Sequence, residues 1–69
     1  MIDAEGAIEK ALETAKKANL PMILVHVVGA TKKGNVWEVV LEATGIGTWF
    51  IATIDSETGE CLSWNSLER

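Results

Sequence analysis

Apolar residues near the start of the chain fall at Ala4, Ala7, Ile8, Ala11, Leu12, Ala15 and Ala18. This three-and-four spacing places them on one face of an α-helix over residues 3–18. Asp3 is a suitable N-cap, and Glu5 complements the positive end of the helix dipole. Glu13 and Lys17 are spaced as a favourable i,i+4 pair. Asn19 tolerates the left-handed conformation of a C-cap, and Pro21 cannot continue the helix. The inward stripe is mostly alanine, so the helix axis can lie close to whatever it covers.

Beyond Pro21 the pattern changes to strands and turns. Residues 22–28 (MILVHVV) are rich in β-formers, and residues 29–35 (GATKKGN) read as a hairpin loop in which Gly34 can take positive φ. Residues 36–43 alternate, with Trp37, Val39, Leu41 and Ala43 on one side and Glu38 and Glu42 on the other. Gly45-Ile46-Gly47 makes the next turn. Residues 48–54 form a third strand with Phe50, Ala52 and Ile54 on one face. Residues 60–65 form a short fourth strand with Leu62 and Trp64 inward. Connections this short require antiparallel neighbours. The expected fold is therefore a single α+β domain over residues 1–69. It has two layers, with one N-terminal helix packed on a four-stranded antiparallel meander sheet.

That arrangement leaves a surplus of oil. The chain is 48% hydrophobic with a mean hydropathy of +0.18, yet a domain of this size buries only about 60% of its unfolded surface. One helix covers one side of the sheet. If Ile23, Val25, Val27, Trp37, Val39, Leu41, Phe50, Ile54, Leu62 and Trp64 lie beneath it, the reverse side shows Met22, Leu24, Val28, Val36, Val40, Trp49 and Ile51. Only His26, Glu38 and Glu42 interrupt that side. Monomers rarely expose apolar patches much above a few hundred Å². The first functional expectation is a small non-catalytic interaction module acting through Leu24, Val40, Trp49 and Ile51. Its partner is another protein or a second copy, most simply in a symmetric homodimer.

Charge narrows the partners. Net charge is −4, divided as +1 over residues 1–37 and −5 over residues 38–69. An acidic sheet region repels phosphate, so nucleic acid is not the expected partner. Lys32-Lys33 reads as a solubilising pair in a loop. The N-terminal segment is charged from Asp3 onward and lacks a signal-peptide core. The longest apolar run falls far short of the ~20 residues of a membrane span. The expected setting is soluble and cytoplasmic, with no membrane partner. The lone Cys61 permits no internal disulfide, and no Cys/His cluster suggests zinc.

Three short segments resemble PepSY-type domains: AEGAIEKALETA in the helix, WEVVLEA in the second strand, and WFIATIDSETGECL, an aromatic-bearing strand entering an Asp-x-x-Thr-Gly-x-apolar hairpin. In the last, Asp55, Thr58 and Gly59 carry the pattern, and Leu62 is the apolar residue of the strand that follows. The resemblance implies a helix packed on an antiparallel sheet. It also implies a non-catalytic role in binding or inhibition, often as a module attached to something else.

The acidic hairpin carries the alternative function. As structure, Asp55 and Thr58 can accept hydrogen bonds from turn amides while Gly59 supplies positive φ. As chemistry, Asp55, Glu57 and Glu60 could offer carboxylates to a hard cation such as Ca2+, which takes six to eight oxygens. The glycine comes one position early for an EF-hand loop, and no glutamate stands where the closing ligand belongs. Catalytic signals are sparse. Glu38 and Glu42 lie about 13 Å apart along a strand, too far for a retaining carboxylate pair. His26 sits among valines without an acidic or thiol neighbour, and Cys61 is flanked by Glu60, which disfavours a thiolate. The glycines at 45 and 47 lie between strands rather than at a helix start, so they form no phosphate loop. No catalytic residue and no cofactor are expected.

Overall fold

In the computed structural model, residues 1–45 and 47–68 are described, the side chain of Glu68 excepted. Ile46, placed above in the second turn, and Arg69, counted in the charge balance, lie outside the described residues. Helix α1 spans Ala4–Lys17, and strands β1 (Val25–Lys33), β2 (Val36–Ala43), β3 (Thr48–Asp55) and β4 (Cys61–Glu68) follow, with a short 3-10 turn at Met22–Leu24. The sheet order is β1-β2-β3-β4, with every neighbour antiparallel. The fold is the α+β meander that the pattern predicts.

The helix termini follow their local chemistry. The Asp3 carboxylate accepts a 2.8 Å hydrogen bond from the Gly6 amide, satisfying one orphan donor of the first turn. At the other end Asn19 takes φ 63°. The Asn19 amide donates to the Lys16 carbonyl and the Leu20 amide to the Ala15 carbonyl, at 3.0 and 3.2 Å. This paired pattern is a Schellman closure. Glu13 pairs with Lys10 at 3.7 Å rather than with Lys17.

Ala7, Ala11 and Ala15 are fully buried against Val39, Leu41, Ala52 and Ile54. They recur every four residues, so their methyl groups form the ridge that meets the two central strands. The segment before the helix is fixed as well. The Ile2 amide donates to the Ser56 carbonyl at 2.7 Å, and the Trp37 indole donates to the Ile2 carbonyl at 3.2 Å. On the same side, the rings of Phe50 and Trp64 stack with centroids 5.1 Å apart.

Three expectations are corrected. Residues 22–24 form a 3-10 turn instead of opening a strand, so Met22, Ile23 and Leu24 belong to neither sheet face. Ile23 is 88% exposed rather than under the helix. Residues 29–33 are not loop: β1 continues to Lys33, and only Gly34 and Asn35 turn the chain. Gly34 has φ 62° and Asn35 does not, as in a type II′ hairpin turn. Lys32 and Lys33 therefore stand on the strand, opposite Trp37 and Val36. Finally, register shifts occur between Val27 and Gly29 and between Cys61 and Ser63. Each bulge leaves one residue unpaired, Val28 and Leu62. Leu62 is consequently 53% exposed, and Cys61 takes the place opposite Ile54.

Candidate interaction surface

Cross-strand partners in an antiparallel sheet share a face, so the pairings define the side away from the helix in rows. One row reads His26, Glu42, Trp49, Leu67; the next reads Gly29, Val40, Ile51, Asn65; the third reads Thr31, Glu38, Thr53, Ser63. Lys33, Val36 and Asp55 close the far end. The apolar part is a belt two rows deep, built from Val40, Ile51, Trp49 and Leu67. The third row is polar. This face is less oily than the sequence implies, because Met22, Leu24 and Val28 do not occupy ladder positions on it.

Three of the four expected contact residues are brought together. Val40 and Ile51 are direct partners, and Trp49 lies two residues from Ile51 on the same strand and face. All three are half-buried by their neighbours. The Trp49 indole donates to the Glu42 carboxylate at 3.1 Å, which holds the ring beside β2. Leu24 stands apart, at the end of the sheet. Its carbonyl accepts from both the amide and the hydroxyl of Thr44 at 2.9 Å, anchoring the 3-10 turn beside the β2–β3 connection. Leu67, 48% exposed opposite Trp49, belongs to the belt and escaped the sequence reading. The available signal was the expected length of β3, since a strand over residues 48–54 asks for a partner longer than residues 60–65.

The acidic hairpin is built as a turn. Oδ1 of Asp55 accepts from the amides of Glu57 and Thr58 at 2.7 and 3.2 Å. The Thr58 hydroxyl accepts from the Glu60 amide at 3.2 Å. The Gly59 amide donates to the Asp55 carbonyl at 2.8 Å with Gly59 at φ 77°. Asp55, Glu57 and Glu60 are not grouped around a common point: among the described residues no three His, Cys, Asp or Glu side chains are placed to hold a metal ion. Asp55→Ala removes the acceptor of two amides and is expected to cost about 1–2 kcal/mol, with Asp55→Asn recovering part of it. Urea midpoints of the two variants check this, and equal midpoints for Asp55→Ala and the parent would refute the turn role.

His26 and Cys61 do not meet. His26 is on β1 facing away from the helix, and Cys61 is on β4 facing toward it. Three strand spacings, roughly 14 Å, and the sheet itself separate them. The Cys61 thiol donates to the Ser63 carbonyl at 3.4 Å. Glu38 and Glu42 lie in different rows with Val40 between them, and Glu38 is paired with Lys33 at 3.3 Å. An open depression of about 330 Å³ lies on the helix side, lined by Glu9, Leu12, Glu13, Lys16 and Met22. No described helix is long and apolar enough to cross a membrane. Neither a protein-family model, nor a curated protein, nor a solved structure matches this chain.

Proposed function

We propose that the chain is a small non-catalytic binding module that docks a protein partner, or a second copy of itself, through the sheet face opposite the helix. One observation carries the reading: Val40, Trp49, Ile51 and Leu67 are contiguous on that face, while α1, the sole α-helix among the described residues, packs against the other. Tryptophan and aliphatic side chains surrounded by a polar rim have the composition of an interface centre. Here the rim is Glu42, Glu38, Thr53 and Asn65. Leu24, in the 3-10 turn at the end of the sheet, stands outside this belt. The likeness of the 55–62 hairpin to that of PepSY domains supports a binding or inhibitory role of the same kind. The proposal includes a cytoplasmic setting, in which the free Cys61 thiol stays reduced.

Burial would drive docking at ~25 cal/mol per Å² before association costs. Val40→Glu places a charge at the centre of the belt without touching the helix-side core. It is expected to abolish complex formation while leaving the melting temperature within a few degrees of the parent. Partner capture followed by titration of the parent and of the Val40→Glu and Trp49→Ala variants reads this directly. Complexes formed equally well by all three would overturn the proposal.

A further inference from the structure

The two sheet edges differ in how they are defended. A free edge presents unpaired N–H and C=O groups, and natural sheets blunt it with bulges, lysines, glycine or proline. β1 has such devices: a bulge at Val28, Gly29 beside it, and Lys32 and Lys33 at its end. β4 has its bulge near the start, at Leu62. From Ser63 to Glu68 the register with β3 is then unbroken, and residues 61–67 contain no charge, proline or glycine. No described strand lies beyond it.

The register also fixes which groups point off this edge. In a two-residue hairpin the residues flanking the turn exchange ladder bonds, so Val36 bonds to Lys33 and the alternate residues of β2, from Trp37 to Ala43, bond to β3. In β3 the residues left to bond β4 are Trp49, Ile51 and Thr53, whose partners are Leu67, Asn65 and Ser63. The backbones of Trp64 and Ser66 therefore aim outward.

The geometry points to β4 as a self-pairing edge: two copies join antiparallel along β4 into one continuous eight-stranded sheet. In the register that lets Trp64 of each copy exchange both ladder bonds with Ser66 of the other, the two-fold axis passes at Asn65, and each Ser63 stands opposite the other copy's Leu67. The uncharged segment matches itself without like-charge conflict, whereas β1 carries Lys32 and Lys33 and a bulge that interrupts its ladder. An axis normal to the sheet leaves both helices on one side and both belts on the other. One sheet face measures roughly 19 by 26 Å from strand spacing and rise, below the ~800 Å² per partner of a standard interface. Two faces side by side exceed it. The pairing stands on the edge geometry alone and does not require the belt to be a docking site.

Sedimentation of the intact chain at rising concentration is expected to show a monomer–dimer equilibrium. The amides of Trp64 and Ser66 should become protected from exchange as the dimer fills. Asn65→Lys puts two like charges at the axis, and Ser66→Pro removes an outward donor while leaving the β3 ladder bonds in place. Each should weaken the dimer roughly tenfold or more, with helix and sheet signals retained. Val40→Glu should leave it unchanged, which separates this result from the outcome for the belt. A monomer at every concentration overturns the inference, as does a dimer broken by Val40→Glu but indifferent to Asn65→Lys. Protection of the two amides only when an extended peptide is added would assign the edge to a foreign strand and likewise overturn it.

Discussion

Leu41→Ala should leave little folded protein. Leu41 is the largest fully buried side chain, ahead of Ile54 and Val39, and it sits in the central strand β2 beneath the alanine ridge of α1. Truncating a buried leucine costs about 2–5 kcal/mol, since the transfer energy is lost and a cavity remains. A domain of this length has about 3–10 kcal/mol in total. The surrounding residues cannot close the gap cheaply, because their helix neighbours are alanines with no longer rotamer to offer. Urea denaturation followed by tryptophan fluorescence, which reads Trp37 and Trp64 on the same face, is the direct check. Val36→Ala, on the opposite face, should lose less than half as much. A Leu41→Ala variant within about 1 kcal/mol of the parent would show that the helix does not press on this site.

The opposite kind of error should also be costly. Ala11 is fully buried and lies midway along the ridge between Ala7 and Ala15. Ala11→Leu improves nothing intrinsic, as the two residues have similar helix propensity, but it forces a branched side chain between the helix and the two central strands. Overpacking of this kind costs typically about 1–3 kcal/mol. Here relief requires moving the helix away from the sheet, and that strains the Ile2 bonds to Ser56 and Trp37. Thermal melts should show Ala11→Leu well below the parent and Lys17→Leu, on the exposed helix face, close to it. Equal melting temperatures for the two leucine variants would mean that the helix has room beneath it.

The helix could be read from sequence almost to the residue because its signals are local: a capping aspartate, an i,i+4 stripe, an asparagine able to turn left-handed. The 55–59 turn was legible for the same reason. The strand ends were not. GATKK at 29–33 has loop-like composition, and its strand conformation comes from pairing with Glu38, Trp37 and Val36 across the hairpin. Bulges are likewise decided by what lies opposite, so alternation counted through Leu62 puts it under the helix although it is unpaired and 53% exposed, and a fourth strand ended at residue 65 stops short of Leu67. The proposed site divides along the same line. Val40, Trp49 and Ile51 sit on β2 and β3, whose mutual register is unbroken, and simple alternation places them correctly. Leu24 lies in a 3-10 turn that MIL, as a string of β-formers, does not announce.

The connections of the meander are two, four and five residues long, so each strand needs only its chain neighbour in order to form. Closing such small loops costs little entropy, and sheet growth can proceed by successive zipping. The N-terminal arm is different. Ile2 must find Ser56 and Trp37, groups that come together only once the hairpins exist. By contact range, the first residues are expected to gain their native bonds after the hairpins close, an order that the build-up of amide protection during refolding would read.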